Sequence, residues 1–226
     1  MDNDFFNFEN KEMDIPFYNN NPQLSKSSWI LLLFALLVGF GTYLITATPM
    51  LSGFLFCIIL LVPVLYFLNW NYKAIFQKPS LNDLKWAVMM AAAYIAYATI
   101  MTYALVLTGL PVAAVNLGAD LADFIFTLMG EELFKFILLA FFLCVLYKFS
   151  HNRKASIIIS SAFTLAIFGL VHSISINSIL RALLVQGLGS AVHLFLYIKT
   201  KNLGVSYGSH LLTDVSMTLL DFFSIL

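Results

Sequence analysis

Charge is what this chain has least of. Only 11% of its 226 residues are Asp, Glu, Lys or Arg, against about a quarter in an ordinary soluble domain. The charges present cancel to a formal net of zero, so there is no basic excess with which to hold nucleic acid. Cysteine is nearly missing too. Cys57 and Cys144 stand far apart in apolar stretches and read as packing residues, not as a redox pair or metal ligands. There is no period-two alternation of the kind a membrane β-barrel needs. No G-x-S-x-G marks a serine nucleophile, and no rhomboid-like Ser/His pair stands out. A short basic leader is also lacking, so the first apolar stretch reads as a retained anchor.

What fills the space is hydrocarbon. Hydrophobic residues make up 61% of the chain and the mean hydropathy is +0.89, a surplus that needs lipid as its solvent. Residues 1–28 stand apart, with six Asn, five acidic residues and two Lys. They bury too little apolar area to offset their ordering entropy and read as a polar tail. Beyond it, runs long enough to cross a bilayer cover Trp29–Ala47, Leu51–Trp70, Leu84–Thr108, Leu121–Tyr147, Ala155–Ser175, Ile179–Ile198 and Leu203–Leu226. Helices satisfy their own backbone hydrogen bonds in hydrocarbon. The fold expected is therefore all-α: a polytopic bundle of about seven transmembrane helices.

The cations give an independent test. With the tail in the cytoplasm, Lys11, Lys26, Lys73, Lys78, Lys85, Lys148, Arg153, Lys154, Lys199 and Lys201 all fall on the inner side. That is the pattern of the positive-inside rule for seven spans, with the N-terminus in the cytoplasm and the C-terminus opposite. Lys135 and Arg181 are left within apolar spans.

Ionisable residues inside a span are costly and are usually paired or functional. Three groups occur here. Glu131, Glu132 and Lys135 lie in the fourth span, Phe168 and His172 in the fifth, and His210 and Asp214 in the seventh. Each set has helical spacing, so each can share one helix face. Brought together, they can bind and polarise water, with a carboxylate as base, imidazoles to orient it, and donors for a developing oxyanion. The same groups could instead form a neutral polar knot that fixes helix packing, or an ion path in a transporter. His193 in the sixth span reads as a packed or cavity-lining residue. Gly187 and Gly189 allow close helix approach, Asn177 and Ser178 mark a turn, and His151 lies in a loop.

The order Glu-Glu, F-x-x-x-H, H-x-x-x-D resembles the CAAX-protease and bacteriocin-processing (CPBP, or Abi) family of intramembrane endopeptidases. The resemblance covers residues 121–226, which it implies to be a four-helix catalytic core, with residues 29–120 forming three accessory helices. It implies an integral protein of the cell membrane that hydrolyses a membrane-associated peptide or protein, with lipid as the other partner. Glu131 and His172 would activate the water, and His210 and Asp214 would bind the oxyanion or hold the site. Glu132, Lys135 and Phe168 would support them. No cofactor is implied by the glutamate-protease account; a His/His/Glu set of Glu131, His172 and His210 would also suit zinc. The family's usual Arg position is occupied by Phe136, and the cation comes one residue earlier at Lys135. That E-E-x-x-K arrangement resembles the anti-sigma-factor site-1 protease group of the same clan, and Arg181 is the other cation that could take the Arg role.

Depth sets a condition on this reading. At 1.5 Å per residue, Glu131 lies about 15 Å from the outer end of its span and Asp214 about 16 Å from the inner end of its own. His172 would lie about 25 Å from the inner end and His210 only about 10 Å. A shared site therefore requires tilt, a late start of the fifth span, or a kink near Gly169.

Overall fold

The computed structural model describes residues 26–109, 121–173 and 178–222. Seven helices follow one another: α1 (Lys26–Ile45), α2 (Pro49–Phe67), α3 (Leu81–Leu107), α4 (Leu121–Ser150), α5 (Arg153–Val171), α6 (Ile179–Thr200) and α7 (Leu203–Phe222). Among the described residues six of them, α1 to α6, are long and apolar enough to cross a membrane. The chain is an all-α bundle of the membrane type. Helix α7 matches the others in length but is more polar, carrying Ser206, Ser209, His210, Thr213 and Asp214. Most of the polar tail, the stretch 110–120, Asn177 and the last four residues lie outside the described residues.

Local chemistry sets the helix starts. Pro49 occupies the first turn of α2, where its missing N–H costs nothing. Ser80 and Asp83 form a reciprocal capping box at α3. Asn152 accepts the amide of Ala155 at 3.1 Å and opens α5. His151, at φ 50°, turns the chain from α4 into α5. The fifth helix ends sooner than its apolar run suggests, at Val171, so His172 caps it and does not lie within it.

Helices α1 and α2 cover one side of α4, α5 packs on another, and α3 lies against α6 and α7. The α5/α6 crossing is backbone to backbone. A Cβ on Gly169 would come within 2.9 Å of the Ala182 carbonyl, and one on Gly187 within 2.8 Å of the Leu165 carbonyl. Residues Ala182–Leu188 of α6 are wound as a π-helix at this crossing, a distortion often found at functional sites.

The depth condition is met in an unexpected way. Helix α5 starts early, at Arg153, and His172 stands 19 positions further on, about 28 Å along the axis. His210 stands only seven positions after Leu203, about 10 Å. A 40° tilt of α5 would still leave about 22 Å. Instead, the α6–α7 junction is sunk into the bundle: Thr200, Lys201, Asn202 and Leu203 are all buried. The α2–α3 loop closes beneath it. The Leu203 amide donates to the Ile75 carbonyl at 2.7 Å, and the Asn202 side-chain amide donates to the Gln77 carbonyl at 2.8 Å. Lys201 Nζ donates to the Ile198 carbonyl at 2.7 Å. Burying so polar a turn is tolerable because these groups are hydrogen-bonded.

Candidate functional site

The groups singled out in the sequence come together between α4, α5 and α7, and they divide into two layers. The inner layer is closed. Lys135 and Glu132 are 1% and 2% exposed and lie 2.5 Å apart. Glu132 Oε1 also accepts from His210 Nδ1 at 2.8 Å, and Oε2 accepts from the Ser206 hydroxyl at 2.6 Å. Lys135 Nζ lies 4.7 Å from the centre of the Phe168 ring, a cation–π contact strengthened by the absence of water. Both oxygens of the Glu132 carboxylate are therefore engaged.

The outer layer is open. Glu131, His172 and Asp214 are 18%, 29% and 32% exposed. His172 Nδ1 lies 2.7 Å from the Phe168 carbonyl. A carbonyl only accepts, so the neutral ring carries its proton on Nδ1 and leaves Nε2 bare. His210 is set the same way, since its Nδ1 meets the Glu132 carboxylate. Both bare nitrogens face Glu131, His172 Nε2 at 3.6 Å from Oε1 and His210 Nε2 at 3.8 Å from Oε2. Asp214 Oδ1 is a further 3.8 Å from His210 Nε2. These separations exceed a direct hydrogen bond. With neutral rings, two carboxylates and two ring nitrogens converge without a donor among them.

Ser206 and Tyr94 were not read from the sequence, whereas His193, read there as a packed or cavity-lining residue, is packed. Ser206 sits one turn before His210 on α7, and that spacing was available as a signal. His193 is fully buried, with its ring stacked on His210 at 4.6 Å between centroids and on Tyr94 at 5.3 Å. Its Nε2 lies 3.4 Å from the Thr213 hydroxyl. Tyr94 is one aromatic residue in an apolar helix, and nothing in its local sequence distinguishes it. Arg181 lies at the start of α6; among the described residues it has no carboxylate within ion-pair distance, and its Nε is buried without a partner.

Ligand atoms of Glu132, His193 and His210 lie within 4.8 Å of one another. That cluster is a poor cation site, because Lys135, His210 and Ser206 already occupy the carboxylate. Glu131, His172 and His210 carry a zinc-type donor set, although among the described residues they do not form a group with its ligand atoms that close together. Each imidazole is anchored through Nδ1 to a carbonyl or carboxylate, which is how metal-binding histidines are commonly oriented.

No family model, no curated protein and no solved structure matches the chain. The functional reading therefore rests on this geometry and on the motif order in the sequence.

Proposed function

We propose that the chain is an intramembrane endopeptidase that hydrolyses a membrane-associated peptide or protein, with Glu131 as the general base. The observation that carries this reading is the convergence of His172 Nε2 and His210 Nε2 on Glu131 at 3.6 and 3.8 Å, a gap that holds no donor when both rings are neutral. A water molecule brings two O–H donors to such a gap and is held with its lone pairs free for attack. Glu131 would take the water's proton as the oxygen adds to the scissile carbonyl, and His172 would orient the water. His210 and Asp214 would hold the site together, with the inner layer fixing His210 against Glu132. The motif order of the CPBP family supports the same assignment. The inner-side cations support a cell-membrane protein with its N-terminus in the cytoplasm.

A metal-dependent form is the second reading, favoured by the Nδ1-anchored imidazoles. Zinc would be held by Glu131, His172 and His210. It would supply Lewis acidity and a more acidic bound water, with the orienting contacts from Phe168 and Glu132 unchanged. Metal analysis of the purified protein, with activity measured before and after chelation, separates the two forms.

The deciding test is Glu131→Gln. Glutamine keeps the volume but cannot accept the proton, so turnover of a quenched-fluorescence peptide library should fall about 10²–10⁴-fold, with thermal stability in detergent unchanged. A folded Glu131→Gln protein with wild-type turnover refutes the assignment. A non-catalytic scaffold or a transporter would show no cleavage in the wild type.

A further inference from the structure

We propose that Tyr94, on α3, donates its phenolic hydroxyl to the oxygen anion that forms on the scissile carbonyl, so that the site extends beyond the four C-terminal helices. The inference rests on the peptidase reading and adds a catalytic residue that the motifs do not contain.

Position is the first ground. Tyr94, His193 and His210 form a continuous ring stack, with centroid separations of 5.3 and 4.6 Å and interplanar angles of 21° and 26°. The last ring in that stack is the one whose Nε2 faces Glu131 and Asp214. Gly189 makes room for the first: a Cβ there would come within 2.8 Å of the Tyr94 ring. The tyrosine is thus held between the His193 ring, itself backed by His210, and the backbone at Gly189, which is the rigidity a preorganised donor requires.

Availability is the second ground. Among the described residues the Tyr94 hydroxyl makes no hydrogen bond, and the side chain is only half-buried. Its neighbour Tyr97 differs, with its hydroxyl donating to the Leu184 carbonyl at 2.7 Å. The charged groups that act most strongly on the Tyr94 hydroxyl are Asp214 and Glu131, with Arg181 also near. The ring stack thus links a hydroxyl on α3 that makes no hydrogen bond to the histidine of an open layer whose other groups are acceptors.

Its role is hydrogen-bond donation alone. The proton that leaves the water goes to Glu131 and from there to the departing amine, so Tyr94 stays protonated throughout. The oxygen anion is what the hydroxyl meets, and its contribution appears only when charge develops.

The test uses the full chain in detergent, with pooled quenched-fluorescence peptides as substrate and pooled peptidyl phosphinates as tetrahedral anionic probes. Tyr94→Phe keeps the ring and the stack and removes only the hydroxyl. It should lower kcat by about 10²–10³-fold with KM unchanged, weaken phosphinate binding in proportion, and leave peptide binding as it was. If the variant is less stable, the ratio of phosphinate to peptide affinity on the folded fraction decides in the same way. Wild-type kcat and phosphinate affinity in Tyr94→Phe, beside an inactive Glu131→Gln, overturns the role of Tyr94 and leaves the peptidase reading standing. A wild-type protein that neither cleaves peptides nor binds phosphinates overturns both.

Discussion

Replacing Lys135 by methionine tests whether the inner layer is a true ion pair or a chance contact. Lys135 is 1% exposed, its Nζ lies 2.5 Å from Glu132 Oε1, and no headgroup or solvent is available to take over that role. Methionine fills much of the same volume, so little of the effect comes from a cavity. What remains is a carboxylate that is 2% exposed and has lost its only lysine, with the cation–π contact to Phe168 lost as well. Removing one partner of a buried pair costs about 3–5 kcal/mol. At 2–4 °C per kcal/mol for a chain of this size, that is roughly 6–20 °C in Tm. The assay is thermal unfolding in detergent, with Glu132→Gln and the double variant measured in parallel. The double variant should recover part of the loss, because neither charge is then stranded. Lys135→Arg should be milder than Lys135→Met, limited by the larger guanidinium in a filled slot. If Lys135→Met unfolds at the wild-type temperature, the pair contributes nothing to stability and the division into a saturated and an open layer fails.

Further expectations follow from the packing and the junction. Gly169→Ala puts a methyl within 2.9 Å of the Ala182 carbonyl; spreading α5 from α6 should cost about 1–3 kcal/mol in chemical denaturation and lower kcat, since His172 follows three residues later. Asn202→Ala removes the hydrogen bonds to Gln77 and should cost about 1–3 kcal/mol; retained stability and activity would show that the junction is held by other contacts. A single cysteine at the exposed position 151 should react with an impermeant thiol reagent only from the cytoplasmic side, since Cys57 and Cys144 are buried. Labelling from outside would invert the topology.

The helices were legible because each is bounded by chemistry with a local cause, such as Thr48-Pro49, the Ser80/Asp83 box and Asn152. The pairing of Glu132 with Lys135 was legible from their i,i+3 spacing. Burial could not be read so easily. Sequence arithmetic placed His172 and His210 at different depths because it took every inter-helix turn to lie at the membrane surface. The turn at Lys201-Asn202 does not, and the reason lies 125 positions away at Gln77. The end of α5 at Val171 was missed because the apolar run continues past it. Tyr94 was missed for a related reason: its value comes from a ring stack spanning three helices, and no local pattern reports that.

The sunken junction also bears on how the protein is made. The floor on which Asn202 and Leu203 rest, around Ile75 and Gln77, is synthesised long before them, since chains emerge N-terminus first. The last hairpin therefore closes onto a platform already in place. Glu131 and His172 precede that closure, whereas His210 and Asp214 arrive with it. A chain halted before α7 holds half of the constellation and has no assembled site, so the complete constellation exists only once α7 is in place.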